Sequence, residues 1–306
     1  MCCVSFRKVT TMWLADKWID YEVIDTSNGE KLERWADYIL VRPDPQVIWN
    51  TPRSDKRWRN CNAHYHRSKA GGGEWEFFDL PEQWSVDYHG TAGDLTFLLK
   101  PFSFKHTGLF PEQAANWDWF GELIRNAVQQ GRSVKVLNLF AYTGGATLAA
   151  AAAGASVTHV DAAKGMVAWA KENAKASGLE NAPIRWLVDD CVKFVEREIR
   201  RENHYDAIIM DPPSYGRGPK GEIWKIEDAI FPLVELTSQI LSDNPLFYLI
   251  NSYTTGLQPA VLSYMINTAI VSKFGGSVES GEIGLPVSSN GLVLPCGASG
   301  RYIGKK

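Results

Sequence analysis

The stretch "VLNLFAYTGGATLAAAAAGA", residues 136–155, decides the fold. It opens as a short apolar run without polar alternation, the pattern of a strand buried on both faces. It ends in small apolar residues, the pattern of a helix lying close against such a strand. Between them stand Phe140, Ala141, Tyr142, Thr143, Gly144 and Gly145. The paired glycines let the backbone pass close to a ligand before the helix opens.

The same alternation continues downstream. Strands are expected at "VKVLNL", "SVTHV", "PIRWLV", "DAIIM" and "PLFYLI", with helical stretches between them. Strand–helix repeats of this kind give right-handed βαβ units and a parallel sheet covered on both faces. "SVESGEIGLPV" and "GLVLPCG", joined by Ser-Ser-Asn, read as an antiparallel hairpin at the sheet edge. Upstream, "PEQAANWDWFGELIRNAVQQG" starts on Pro111, stops at Gly131, and spaces Trp117, Phe120, Ile124 and Val128 along one helical face.

From about Tyr21 to Phe104 the rhythm is that of short strands and turns. Asn28-Gly29 is a tight-turn signal, Pro43 and Pro45 interrupt, and another turn falls at Gly90–Gly93. "TPRSDKRWRNCNAHYHRSKAGGG", residues 51–73, reads as a loop inserted in this half. The expected organisation is a small β-rich α+β domain over 1–110 and an α/β domain over 111–306. The α/β domain is expected to be Rossmann-like, with a mostly parallel seven-stranded sheet ending in the antiparallel hairpin.

Composition narrows the class. The chain has 306 residues, a formal net charge of -3 and 45% hydrophobic residues, a globular profile. Bulk charge will not hold it to nucleic acid, although a local basic patch can. Its five cysteines show no CxxC pair and no metal-ligand spacing. They are expected to be reduced thiols in the cytoplasm, with no metal centre. No signal peptide and no apolar run of membrane-spanning length is seen.

In open parallel sheets, ligands bind beyond the carboxyl ends of the strands. Four aspartates stand there: Asp161, Asp189, Asp190 and Asp211. A carboxylate ending the second strand suits the two hydroxyls of a ribose, and one ending the third suits an adenine amine. Each alone reads equally well as a helix N-cap. Together they describe an adenosine pocket. The G-x-G-x-x-G fingerprint of nicotinamide enzymes is absent, and no Walker lysine follows the glycines.

"VLNLFAYTGGATLAAAAAGA", "VTHVDAAKGMVAWAKENAKASGL", "VDDC" and "DAIIMDPPSYGRG" resemble the successive motifs of class I S-adenosylmethionine-dependent methyltransferases. More closely, they resemble the bacterial large-subunit rRNA methyltransferase group that includes a cytosine-C5 enzyme. "FKHTGLFPEQ", residues 104–113, is similar to that group's segment just ahead of the cofactor motif. The resemblance implies S-adenosyl-L-methionine as cofactor and ribosomal RNA as substrate. It places Phe140, Ala141, Tyr142, Thr143 and Gly144 under the methionine part of the cofactor and Asp161 on the ribose. Asp190 would hold the adenine amine with the Cys191 backbone beside it, and Thr107, Gly108 and Gln113 would close the pocket. His106, Glu112 and Ala114 depart from the group's usual residues.

"DPPSY" suits methyl transfer, which needs positioning more than covalent help. Pro212 and Pro213 make a rigid loop with carbonyls that accept. Asp211 accepts from an amino group, and Tyr215 stacks on a base turned out of its helix. In the resembling C5 enzyme a cysteine follows the fifth strand. Here "LINSYTTG" has Asn251, Ser252 and Tyr253 in that place, while Cys296 reads as a small buried residue of the hairpin. A base nitrogen is therefore the expected acceptor. RNA contacts are expected at Arg57 and Arg59 in the loop of the β-rich half, and at Arg217, Lys220 and Trp224 beside the acceptor motif. The chain ahead of the cofactor motif is too short for the group's PUA domain as well as its middle domain, so the PUA domain is expected to be missing. Cytosine C5 as in the resembling family, an oxygen acceptor, a protein or small-molecule acceptor, a non-catalytic cofactor- and RNA-binding module, and a homodimer remain open.

Overall fold

In a computed structural model the described residues are 12–68, 72–102, 105–217 and 223–305, with only the backbone of Arg217. In chain order the first elements are β1 (Met12–Leu14), β2 (Tyr21–Ser27), β3 (Glu30–Trp35), β4 (Tyr38–Pro43), β5 (Ala63–Arg67), β6 (Gly73–Phe77), β7 (Trp84–Gly90) and β8 (Gly93–Leu99). Then come α1 (Ala114–Gln129), β9 (Lys135–Leu139), α2 (Gly145–Ala152), β10 (Ser156–Asp161), α3 (Lys164–Ala176), β11 (Ile184–Val188), α4 (Cys191–Arg200) and β12 (Ala207–Met210). The chain continues through β13 (Tyr215–Arg217), β14 (Ile223–Lys225), α5 (Ile226–Ser238), β15 (Phe247–Ser252), α6 (Pro259–Ile266), β16 (Ser277–Pro286) and β17 (Val293–Ile303).

The main sheet has the order β1-β16-β17-β15-β12-β9-β10-β11. β9, β10, β11, β12 and β15 run parallel, and β17 is antiparallel to both β15 and β16. The central strands β9, β12 and β15 are mostly apolar because both faces are covered, with Asn138, Asn251 and Ser252 as buried polar exceptions. Val136 and Ile209 face one core cluster, and their neighbours Leu137 and Ile208 face the other. From β9 the chain steps out to β10 and β11, then returns to β12 on the other side of β9. That reversal opens the crevice in which such sheets bind ligands.

Two expectations change here. The sheet has an eighth strand, because Met12–Leu14 pairs in parallel with Glu282–Gly284 of β16. Three residues carry too little periodicity to announce a strand. The last strand is also longer than the hairpin reading allowed, since β17 runs on through "ASGRYI" to pair with the whole of β15.

The β-rich half forms a five-stranded sheet, β2-β3-β4-β5-β6, and a β7–β8 hairpin. Asn28 and Gly29 turn β2 into β3 with φ of 50° and 79°, both positive as the two-residue hairpin requires. The stretch 51–73 is only partly loop. It holds a 3-10 turn at Lys56–Trp58 and the whole of β5, which pairs with β4 and β6. Trp58 is buried there, donating its indole N–H to Asp25 at 2.9 Å.

Residues on both sides of position 110 build one core cluster, from Trp35, Leu40, Val86 and Phe97 to Phe120, Ile124, Val136 and Phe247. Val128, placed on the same helical face by its spacing, is 36% exposed at the end of α1. β8 is fastened to α3. Leu98 N–H donates to Asn173 at 2.9 Å, and Trp169 donates back to the Leu98 carbonyl at 2.8 Å. These bonds occupy backbone groups that a sheet edge would otherwise expose.

Candidate active site

The loop after β9 turns through left-handed backbone at Phe140 (φ 55°), Tyr142 (φ 51°) and Gly144 (φ 90°). Non-glycine residues adopt this conformation at a cost of about 1–3 kcal/mol each, so something must hold them. Ala141 N–H donates to the Val160 carbonyl at 3.1 Å. Tyr142 N–H donates to Asp161 Oδ2 at 2.8 Å. The Thr143 hydroxyl donates to the Gly108 carbonyl at 2.5 Å, and Asn173 donates to the Thr143 carbonyl at 2.9 Å.

Asp161 takes Tyr142 N–H on one oxygen and Ala163 N–H at 2.8 Å on the other. A carboxylate offers about four lone-pair sites, so one remains on each oxygen, the arrangement a vicinal diol requires. Burial raises its pKa against these two bonds. Gly108, at φ 100°, lies so close to Trp169 that a Cβ there would meet the ring at 2.3 Å. The preceding Thr107 is fully buried, and its hydroxyl has no partner among the described residues. The strained backbone, the half-used carboxylate and this orphaned hydroxyl all suit a nucleoside cofactor.

Asp190 is exposed and caps α4, its Oδ1 accepting from Lys193 N–H at 2.9 Å. The expected adenine ligand therefore has one oxygen already engaged. Asp189 pairs with Arg197. The Cys191 thiol is buried behind Phe140, whose N–H it accepts at 3.4 Å, and burial pushes its pKa up to about 12.

One cavity is lined by Phe110, Gln113, Trp117, Phe140 to Thr143, Asp211 and Asn251. The Asp211 carboxyl is pushed up to about 7, first by burial and then by the charge of Glu112. No cation counters it among the described residues. Glu112 itself is 5% exposed, and burial raises its pKa despite Lys31 and the Tyr253 hydroxyl nearby. The nearby cations Lys31 and Arg42 are committed elsewhere. Arg42 binds Glu33 at 2.6 Å, and Lys31 lies 3.3 Å from Glu33 and 3.4 Å from Asp44.

Both flanks of the Asp211 loop are fixed. Trp224 donates its indole N–H to the Pro213 carbonyl at 2.6 Å, and Ile226 N–H donates to the Ser214 carbonyl at 3.1 Å. Ser214 and Thr254 share a hydroxyl hydrogen bond at 2.5 Å. The Trp224 ring lies 5.5 Å from Phe140. This narrows two expectations. The Pro213 carbonyl already accepts from Trp224 and keeps one lone pair for a substrate, and Trp224 is half-buried with its indole N–H committed to that loop and its ring beside Phe140. Tyr215 is 51% exposed.

The remaining cationic residues separate. Arg57 is held by Asp55 at 2.7 Å and Arg59 is exposed. Lys220 and the Arg217 side chain lie outside the described residues. Sequence reasoning noted Glu112 and Asn251 only as departures from a pattern. Asn251 lines the cavity, Glu112 lies close enough for its charge to act on Asp211, and Tyr253 joins them through its bond to Gln113. Cys296 is not a fully buried core residue. It lines a second cleft with Ser252 and Tyr253, directly beyond β15. Only the pairing of β17 with β15 places it there, and linear sequence does not report that pairing.

A family model described as S-adenosylmethionine-dependent methyltransferase matches residues 54–256. The crystal structure of a SAM-dependent methyltransferase from Agrobacterium tumefaciens is 37% identical, with a TM-score of 0.89, covering 97% of this chain and 95% of that one. A Streptococcus mutans protein described as a SAM-dependent methyltransferase shares the fold at 20% identity and a TM-score of 0.68, covering 94% of this chain and 76% of its own. Ribosomal RNA large subunit methyltransferase K/L of Shewanella baltica is 35% identical over 234 residues, 70% of this chain and 32% of its own length. The chain thus spans about a third of the length of the curated relatives it matches.

Proposed function

The chain belongs to the S-adenosylmethionine-dependent methyltransferase family, and we propose that its substrate is RNA, ribosomal RNA first, methylated on a base nitrogen. The cofactor supplies, when bound, a methyl group already activated on a sulfonium. The chain's own residues position the partners. Phe140 to Gly144 support the methionine portion, Asp161 takes the ribose diol on its spare lone pairs, and Asp190 with the Cys191 backbone borders the adenine. Thr107 and Gln113 close the pocket from the junction with the β-rich half.

Asp211 carries the reading. It is a half-buried carboxyl without a counter-cation among the described residues, held near neutrality, in the cavity that Phe140 and Tyr142 also line. Such a group accepts an N–H from a base and then takes the proton that the nitrogen sheds after methylation. Pro212 and Pro213 keep the loop rigid, and Tyr215 stacks on the base. RNA as substrate is supported by the names of the Shewanella relatives and by the exposed Lys56, Arg59 and Arg67 of the β-rich half. In this reading residues 1–110 present the RNA, Arg217 and Lys220 hold its phosphates, and the enzyme works in the cytoplasm.

Incubation with methyl-labelled cofactor and separate RNA, DNA and protein fractions tests this. Label is expected in RNA and lost in Asp211→Ala. Label in protein alone would move the substrate. A second reading, transfer to cytosine C5, is favoured only by the position of Cys296 beside Tyr253. Burial holds that thiol's pKa well above its ordinary value, and the Sγ–H donates to the Leu294 carbonyl at 3.4 Å, which is the wrong state for a nucleophile.

A further inference from the structure

The amides of Gln113 and Asn251, which line the cavity, end a buried polar chain that begins at a charged group. Gln113 Oε1 accepts from Asn116 at 2.9 Å and from Asn251 at 3.1 Å, and Gln113 Nε2 donates to the Tyr253 hydroxyl at 2.7 Å. Asn116 Nδ2 also reaches Asn251 Oδ1 and Ser299 Oγ, each at 3.0 Å. Asn116 Oδ1 accepts from Arg301 Nε at 2.9 Å.

Arg301 is an unusual residue to find there. It is 6% exposed and forms no ion pair among the described residues. Its guanidinium lies 3.7 Å from the centre of the Trp13 ring on β1 and 5.0 Å from that of Trp119 on α1, and it donates to the Ala115 carbonyl at 2.9 Å. Glu279, its cross-strand neighbour on β16, is the carboxylate that acts on it. A buried cation held by rings and amides instead of a carboxylate costs free energy, which asks for a reason.

The reason lies in direction. An asparagine or glutamine amide can present oxygen or nitrogen to a neighbour, whereas a guanidinium only donates. Arg301 therefore fixes Asn116 with Oδ1 toward itself and Nδ2 toward Gln113. Gln113 must answer with Oε1, which turns its Nε2 to Tyr253. The Tyr253 oxygen is then an acceptor, so its own proton points away from Gln113, on a hydroxyl that the charge of Glu112 acts on. Glu112 is in turn the charge that acts on Asp211.

We propose that Arg301 is a positioning residue for methyl transfer, setting through Asn116 and Gln113 the direction of the Tyr253 hydroxyl at the acceptor site. This rests on the placement of the acceptor at Asp211. Arg301→Met keeps an apolar stem between the two tryptophans and removes the donors. It is expected to shift the side-chain amide NMR signals of Asn116 and Gln113 in substrate-free protein. It is also expected to lower kcat about tenfold while leaving cofactor Kd within about twofold. Tyr253→Phe should cost a similar factor, and the double variant should be no worse than the worse single one. Arg301→Lys, which keeps the charge and a donor, should recover part of kcat and carries the test if the methionine variant fails to fold. Unmoved amide signals, or a double variant whose loss equals the product of the two single losses, would overturn the proposal. If no RNA methylation is found at all, the functional reading fails while the amide spectra still decide the role of Arg301.

Discussion

Replacing Asp211 by asparagine should make the protein more stable and the enzyme inactive, with a pH dependence that identifies the cause. The carboxyl stands at about 7 in the folded chain against an ordinary 3.8. Between those values the folded chain keeps a proton that the unfolded chain has released. Stability therefore falls as pH rises from about 4 to about 7, and above 7 the whole cost is present. That displacement corresponds to about 4 kcal/mol. Water at the cavity edge relieves part of it, leaving about 2 kcal/mol. Asparagine has the same shape and no charge, so Asp211→Asn should melt about 4–8 °C above the parent at pH 8. The gap should narrow by more than half at pH 5. Calorimetric scans of both proteins across pH 5–8, beside a methyl-transfer assay, read both effects. A variant no more stable than the parent at pH 8, or a gap that widens toward pH 5, refutes the reasoning.

Asp161→Asn keeps the size of the side chain but sets an N–H against a backbone N–H at Tyr142 or Ala163; calorimetry should show S-adenosylhomocysteine bound about 10- to 150-fold more weakly. Trp224→Ala removes the ring beside Phe140 and the bond to Pro213. It should lower kcat without weakening RNA binding, and Trp224→Phe should restore only the contribution of the ring. RNA affinity lowered at an unchanged salt slope, the mark of a lost stacking contact, would return Trp224 to the RNA surface. Gly108→Ala puts a methyl group into Trp169 at a left-handed position and should cost more than about 1 kcal/mol of stability in a urea titration.

The cofactor half was readable because its signals are local. Apolar runs such as "VLNL" and "DAIIM" mark buried strands wherever they fall, and the crevice rule then makes Asp161 and Asp211 conspicuous. The β-rich half was harder, because β5 and β6 carry exposed Arg67, Glu74 and Glu76 on a thin sheet and read as loop. Trp224, an aromatic beside glycines and lysines, reads as solvent-facing in sequence, and only the hairpin reveals its ring beside Phe140 and its bond to Pro213. Arg301, Asn116 and Tyr253 meet only through the pairing of β15 with β17 and the packing of α1 across them. Contacts at such sequence separation leave no local pattern.

Nucleoside mass spectrometry of ribosomal RNA methylated in vitro tests the central claim most directly. The account predicts one N-methylated nucleoside, absent with Asp211→Asn and present with Cys296→Ala. The label appearing as 5-methylcytidine, and lost with Cys296→Ala, would contradict it.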